Sequence, residues 1–396
     1  MSRDGVLLGR ARAVDFTFND EENAFAGTLR RYARERLLPD FSLWDRGTAF
    51  PRERLRELAE LGVMGLRVPE EYGGIGGTYV MTGIAAEELG RGDHGYTLFV
   101  QLGAIVGDLL SGYATKRVRD EWLPGVATGE RLIAFGLTEP GAGSDAAALQ
   151  ATATRDGDVY VVRGEKASVT FAGLADACIV FARTGGAGAK AIGAILVPLD
   201  QSGVSRRTYK SVGERLTQRG SLVFDDVRVP ADHLLGDERA GFIQAMEAFD
   251  YNRAIIALAC VGAASQSIDE TIEYVKQRKT FGKPLASRQG VAFQIAEHLT
   301  MLQAARLLAF DCLARRDRGE PHTKEAAMAK WLGPKAAAEA IHACMILHGW
   351  MGYDQDLPHE QRLRDVIGLE IGDGTPEIMK GIIAREVIGR AHFSFR

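Results

Sequence analysis

Cysteine, excess positive charge and long apolar runs are all scarce in this sequence. The four cysteines among 396 residues, Cys178, Cys260, Cys312 and Cys344, form no CxxC pair, so neither a disulfide framework nor a zinc site is expected. Lys and Arg number 48 against 52 Asp and Glu, a net charge of −4, which argues against a nucleic-acid-binding surface. No run approaches the ~18 apolar residues that would span a bilayer. These absences predict a cytoplasmic protein that binds neither nucleic acid nor membrane.

Several catalytic signatures are also missing. The chain has no HExxH metal spacing, no GxSxG elbow, no P-loop and no GxGxxG entering a helix, so zinc and serine hydrolases, nucleotide hydrolases and Rossmann enzymes are not favoured. The first 15 residues carry three arginines but no continuous apolar core. They are expected to form a loose leader and not a signal peptide.

Hydrophobic spacing divides the chain into three predicted domains. Residues 1–130 show helical periodicity, with a helix that Pro39 should end. Residues 131–242 contain short strand-like runs, two of them separated by a hairpin turn at Asp156-Gly157. Residues 243–396 return to helical spacing. The pattern predicts an α+β protein in which helices flank a small antiparallel barrel or sandwich.

Three motifs could carry chemistry, and each has an ordinary structural alternative. The segment GLTEPGAGSD (136–145) supplies glycines and hydroxyls that suit an anion, yet could be a polar turn. In IGDGTPEI (371–378), Thr375 fits a helix N-cap and Pro376 the first helical position, which leaves Asp373 just outside a helix. QRKTFGKP (277–284) could be a solvated helix end.

These motifs, together with VFDDVRVP, FDYNR, HGWMGY and RLRD in the same order, resemble the acyl-CoA dehydrogenase family over nearly the whole chain. The resemblance implies an N-terminal helical domain, a middle β-barrel and a C-terminal four-helix bundle. It also implies a homotetramer that binds FAD and an acyl-CoA and passes electrons to electron-transferring flavoprotein.

The resemblance further assigns binding residues by position. Flavin contacts in the same subunit are expected at Phe135, Leu137, Thr138, Gly143, Ser144, Ser168, Thr170, Thr375 and Glu377. Contacts to the FAD of a neighbouring subunit are expected at Arg278, Thr280, Phe281, Gln289, Ile346, Gly349 and Trp350. The CoA thioester is expected at Ser144, Asp250, Arg253 and Gly374.

The catalytic base implied by the resemblance is Asp373. A base must remove the α-proton while the flavin takes hydride from the β-carbon, and the backbone N–H of the base residue helps to stabilise the enolate oxygen. Family members usually have glutamate here after an aromatic residue, whereas this chain has aspartate after Gly372. The carboxylate is thereby withdrawn by roughly 1.5 Å, one C–C bond. A cyclic or α-branched acyl group would fill the gap, and the sequence is most similar to the cyclohexane-carboxyl-CoA dehydrogenases.

Other departures from the family pattern bear on the site. Ser168 replaces a tryptophan that covers the flavin, and Ile346 and Trp350 replace glutamine and glycine near the neighbour's pyrophosphate. Asn252 stands where some branched-chain members have a second glutamate base. Asp93 falls in the segment that lines the acyl pocket, where it is either a loop cap facing water or a second catalytic carboxylate.

Two alternative functions remain open at this point. An acyl-CoA or nitroalkane oxidase of the same fold could also use an aspartate base, although Asp250 and Arg253 favour a CoA ligand. A non-catalytic member that binds DNA or a partner would need a basic patch or a lost base, and the sequence shows neither.

Overall fold

The computed structural model describes residues 17–47, 50–186, 188–389 and 391–393. The predicted leader over residues 1–15 lies outside these residues. Helices, then a sheet, then helices follow one another along the chain, which confirms the predicted fold class. One continuous apolar core runs through all three parts, with Leu29, Phe181 and Ala257 among its members.

The N-terminal part is helical and begins with a capping box, in which the side chains of Asn19 and Glu22 each accept the other's backbone N–H. Its helices are α1 Asp20–Tyr32, α2 Glu53–Glu60, α3 Tyr79–Gly92, α4 Thr97–Tyr113 and α5 Lys116–Ala127. The α-helix predicted to end at Pro39 ends earlier, because one π-helical turn and one 3-10 turn carry the chain from Ala33 to Asp40. Between α3 and α4, a 3-10 turn (His94–Tyr96) is capped by Asp93.

The middle part is a seven-stranded sheet in the order β1-β4-β2-β3-β7-β6, with β5 paired to β4. The strands are β1 Ile133–Gly136, β2 Thr152–Asp156, β3 Val159–Val169, β4 Ala177–Arg183, β5 Ile192–Pro198, β6 Val204–Thr208 and β7 Gly220–Pro230. The sheet is mixed and not purely antiparallel as predicted, since β1 and β2 both run parallel to β4. Residues 177–182 of β4 are all buried, which suits a central strand with parallel neighbours.

The C-terminal part is built around one long helix. Its elements are α6 Gly241–Gln277, the small hairpin β8 Lys279–Thr280 and β9 Lys283–Pro284, α7 Gln289–Asp317, α8 Thr323–His348, α9 His359–Ile371 and α10 Pro376–Ile388. By length and composition α6 could cross a membrane, but 72% of its apolar window is buried inside the protein, as in a core helix. The predicted start of α10 is confirmed, with Thr375 as N-cap and Pro376 as the first residue.

The three parts meet at one junction. The ring of Phe135 on β1 lies 5.5 Å from that of Phe249 on α6, centroid to centroid. The loop between β6 and β7 reaches the C-terminal part, where the N–H of Glu214 donates to Asp365 on α9 over 2.6 Å. The same loop contacts the 94–96 turn of the N-terminal part. All three parts therefore contribute residues to this junction.

Candidate functional site

The turn between α9 and α10 holds Asp373 in a strained conformation. Asp373 has a φ of 55° and Gly374 a φ of 114°, both in the left-handed region that favours glycine and that aspartate tolerates better than most residues. A non-glycine residue there costs on the order of 1–3 kcal/mol and persists only where the surroundings enforce it. Such strain at a candidate base is consistent with a functional turn.

Three buried side chains hold this turn in place. The amide Nδ2 of Asn252 donates to Oδ2 of Asp373 over 2.6 Å, and Nε of Arg253 donates to the Asp373 carbonyl over 3.3 Å. From α8, Nζ of Lys330 donates to the Gly374 carbonyl over 3.1 Å. One donor thus orients the carboxylate while two cations fix the backbone on either side of it.

Asp373 is left with two groups for chemistry. Its side chain is partly exposed, and Asn252 contacts only Oδ2, so Oδ1 can accept a proton. Among the described residues, the backbone N–H of Asp373 donates no hydrogen bond. The residue can therefore offer a base and an N–H donor side by side.

Sequence reasoning missed Lys330 and the role of Asn252. Lys330 is 2% exposed, and burial lowers its pKa to about 8 although the charge of Asp373 opposes this. Its signal was a single lysine among alanines in the apolar run AAMAKWLG. From the sequence alone, Asn252 indicates only that a second base is absent. In the structure, Asn252 is hydrogen-bonded to Asp373, the candidate base.

Asp250 and Arg253 pair with each other. Nη1 of Arg253 donates to Oδ1 of Asp250 over 2.8 Å, and Oδ2 of Asp250 accepts from the Thr323 hydroxyl over 2.6 Å. Burial lowers the pKa of Arg253, while Asp250 and Asp373 raise it. The pair supports the turn that holds Asp373, because Arg253 also donates to the Asp373 carbonyl. Its contact with a CoA thioester stays a prediction.

Asp93 lies beside two other buried acids at the junction. Its side chain accepts a hydrogen bond from the Gly95 N–H over 2.8 Å, so it does cap the 94–96 turn. The side chain is buried, however, so the prediction that the cap faces water is wrong. Burial raises the pKa of Asp93 and of Glu214 to about 7, and that of Asp365 well above its usual value. Glu214 had no signal in the sequence, whereas Asp365 ends the RLRD motif, to which the sequence analysis assigned no role.

Of the residues predicted to contact the flavin in the same subunit, those between Phe135 and Thr170 lie in or just after β1 and β3, and the other two lie at the start of α10. The N–H of Ala167 on β3 donates to the Thr138 carbonyl over 2.8 Å, which brings the exit of β1 next to β3. The pairing of β3 with β7 is irregular between Lys166 and Val169, where Ser168 has a φ of 54° and an exposed side chain. Leu137 is buried, and its carbonyl accepts from the buried Lys166. Gly143 and Ser144 are exposed in the following loop, Thr375 caps α10, and Glu377 is exposed.

The residues predicted to reach a neighbour's FAD lie elsewhere. Arg278 follows the end of α6, roughly 40 Å along that helix from Arg253 at 1.5 Å per residue. Phe281 is 97% exposed and Trp350 is 80% exposed. Thr280 is half-buried in the hairpin, and Gln289, Ile346 and Gly349 are exposed. The fold does not bring this set to Asp373 within one chain.

Comparison with known proteins places this geometry in a family. The family descriptions "Acyl-CoA dehydrogenase, N-terminal domain", "middle domain" and "C-terminal domain" match residues 19–130, 134–227 and 239–388. The chain belongs to the acyl-CoA dehydrogenase family. It is an FAD-dependent oxidoreductase that acts on an acyl-CoA.

Relatives and solved structures agree with this assignment. The mitochondrial short-chain specific acyl-CoA dehydrogenase of Bos taurus is 36% identical over 91% of this chain and 88% of its own length. Butyryl-CoA dehydrogenase of Megasphaera elsdenii superimposes with a TM-score of 0.91 at 31% identity, over 95% of this chain and 100% of that one. A glutaryl-CoA dehydrogenase of Mycobacterium smegmatis in complex with FADH2 gives a TM-score of 0.90 at 28% identity, over 96% and 97%.

The carboxyl ends of β1 and β3 in this acyl-CoA dehydrogenase carry donors that an FAD would need. Thr138 and Thr170 place hydroxyls on half-buried positions, and Ser168 places one on an exposed position at the irregular part of β3. Irregular strand pairing of this kind is frequent beside active sites. At Gly143, an added Cβ would meet open space, so the loop after β1 leaves room for a ligand. These residues, with the half-buried ring of Phe135, fit a flavin, and Ser168 is smaller than the tryptophan that the family pattern has at this position.

Proposed function

We propose that this acyl-CoA dehydrogenase removes hydrogen from a cyclic or α-branched acyl-CoA, with Asp373 as the base and cyclohexane-1-carboxyl-CoA as the favoured substrate. The hydrogen bond from Asn252 to Asp373 carries the proposal. It holds the carboxylate of Asp373 on the side of α6, and the aspartate side chain is already one methylene shorter than that of glutamate. The acyl group must therefore extend further toward the base.

The residues of the turn divide the catalytic work. Oδ1 of Asp373 takes the α-proton, while Asn252 keeps the carboxylate from rotating. The Asp373 N–H donates to the thioester oxygen, on which negative charge grows as the proton leaves. Lys330 and Arg253 hold the two carbonyls so that the base and the N–H keep their relative positions. FAD, when bound, supplies the acceptor for the hydride from the β-carbon.

Space beside the base supports a bulky acyl group. A Cβ added at Gly372 would meet only Leu369 and the Gly368 carbonyl, at 3.6 and 3.8 Å, which is ordinary contact. The usual aromatic residue is absent there, so a ring can occupy the volume. Asp93 is the second candidate base, for proton removal from a ring carbon further from the thioester.

Assembly as a homotetramer is part of the proposal. Large apolar side chains are exposed on the C-terminal part, among them Phe281, Phe293, Ile346, Trp350, Tyr353 and Ile371. Exposed apolar groups at this density mark association surfaces, and Phe281, Ile346 and Trp350 are the residues expected to meet a neighbour's FAD. Electron-transferring flavoprotein is the proposed electron acceptor.

Anaerobic reduction of the bound flavin by a panel of acyl-CoAs tests the substrate class. Cyclohexanecarboxyl-CoA should bleach the flavin faster than butyryl- or octanoyl-CoA. The variant Gly372→Ala should fold, because the added methyl meets only ordinary contacts, and should lose more rate with the ring than with butyryl-CoA. Equal or faster reduction by a straight chain would defeat the ring proposal.

An oxidase of the same fold is the second candidate, because Ser168 leaves the flavin face open. Turnover in air and under nitrogen separates the two functions. Rapid hydrogen peroxide formation, with no need for an added acceptor, would favour the oxidase.

A further inference from the structure

Glu214 is a buried carboxyl group with an unused hydrogen-bonding atom. It is 8% exposed, and among the described residues its Oε1 has no hydrogen-bond partner. A buried polar group without a partner costs on the order of 1–3 kcal/mol. Its backbone is also strained, with a φ of 51°, at a further cost on the order of 1–3 kcal/mol. These two costs fall on one residue, which packs against α9, and together they suggest a functional role.

The position of Glu214 relative to the base can be followed along α9. A Cβ added at Gly368 would lie 3.8 Å from Oε2 of Glu214 and near no atom outside that side chain. Gly368 lies in α9 and Gly372 is the C-cap of the same helix, four residues later, so the two glycines lie on one side of the helix end. We call these two residues the glycine edge of α9. Asp373 follows one end of this edge, and Glu214 lies against the other.

The glycine edge leaves a space that a substrate can fill. Neither glycine contributes a side chain, and four residues of helix rise about 6 Å, which is comparable with a six-membered ring that carries one substituent. An acyl group with its α-carbon at Asp373 and its body along this edge would bring its far side to Glu214.

We infer that Glu214 is a specificity residue that binds a hydroxyl group on the far side of the acyl group, so that a hydroxylated derivative of the proposed ring substrate is used better than the unsubstituted ring. This inference rests on the proposed function, since it places the acyl group between Asp373 and Glu214. Burial raises the pKa of Glu214 to about 7, Asp373 raises it further, and Arg219 lowers it. Near neutral pH the carboxyl group can therefore both donate to a hydroxyl and accept from one. A hydrocarbon ring would instead leave it unpaired, and sites with buried polar groups reject analogues that lack the matching group.

The test compares two substrates within each variant. kcat/KM is measured for cyclohexanecarboxyl-CoA and for its 4-hydroxy derivative, as separate cis and trans isomers, with the FAD-loaded wild type, Glu214→Leu and Glu214→Gln. The wild type should prefer one hydroxylated isomer by roughly ten- to hundredfold, which is the loss expected from an unpaired buried group. Glu214→Leu should abolish or reverse the preference, mainly through KM, and Glu214→Gln should keep part of it. Because each ratio is taken within one protein, a general loss of folded enzyme cancels.

A variant in the same loop provides the control. Gln218 also has a left-handed φ, of 46°, so Gln218→Leu perturbs the loop without changing Glu214 and should keep the wild-type ratio. Equal use of both ring substrates by the wild type, or an unchanged ratio in Glu214→Leu, would overturn the inference. If no ring substrate reduces the flavin, the ring proposal fails. Butyryl-CoA and 4-hydroxybutyryl-CoA then decide the role of Glu214 by the same ratio.

Discussion

Replacing Asn252 by leucine tests how the base is oriented. The substitution keeps the volume of the side chain but removes the 2.6 Å hydrogen bond to Oδ2 of Asp373. Hydrogen bonds to charged groups contribute about 1.5–3 kcal/mol, and this free energy holds the carboxylate in one orientation. The freed carboxylate becomes a stronger base, which alone would speed proton removal modestly. The loss of position outweighs this gain, because a displacement of ~1 Å can cost a hundredfold.

The assay is anaerobic stopped-flow reduction of the flavin by the preferred acyl-CoA. Asn252→Leu should retain FAD and reduce it roughly ten- to hundredfold more slowly than the wild type. Gln244→Met is the matched control, because Gln244 is also a buried amide on α6 that donates one hydrogen bond, to the Leu235 carbonyl over 3.0 Å. It should lower stability without lowering the reduction rate. A rate for Asn252→Leu within twofold of the wild type would refute the positioning argument.

Three further predictions follow from other groups. Burial raises the pKa of Glu214 from 4.5 to about 7. The protonated Glu214 carboxyl group therefore contributes to the stability of the folded protein, and this contribution is fully present below about pH 4.5 and is lost as pH rises through 7. Urea unfolding should therefore find Glu214→Gln more stable than the wild type by about 3 kcal/mol at pH 8 and little changed at pH 4, and an equal difference at both pH values would contradict this. Burial lowers the pKa of Lys330 to about 8, so flavin reduction should slow as pH rises through that value. If a Lys330→Met variant still shows the same loss of rate at high pH, Lys330 is not its cause. Phe281→Glu with Trp350→Glu should give a smaller species in light scattering and weaker FAD retention, whereas an unchanged tetramer would exclude this surface as the interface.

Local signals predicted much of the fold. The change from helical to strand-like spacing located the three parts, and the Thr375-Pro376 pair located the start of α10, because caps and periodicity depend only on nearby residues. The strand β6 was missed because its five residues, VSRRT, are almost all polar and exposed. The parallel pairing of β1 with β4 was also missed, since it depends on strands about 40 residues apart.

The candidate site was only partly predictable. Asp373 could be found from a short motif, but its contacts come from α6 and α8, more than 40 residues away in the chain. Glu214 sits in a loop whose sequence carries no catalytic pattern, and it reaches the site only because the loop packs on α9. Tertiary contacts of this kind leave no periodic trace in a single sequence.

The most direct measurement of the central claim is flavin reduction in Asp373→Asn. Asparagine preserves the shape of the side chain and can stay in the left-handed turn, so the variant should bind FAD with an unchanged spectrum. Mixed anaerobically with the acyl-CoA that reduces the wild type fastest, it should show no bleaching on the time scale of wild-type turnover. Bleaching at a rate close to that of the wild type would contradict the assignment of Asp373 as the base and would direct attention to Asp93.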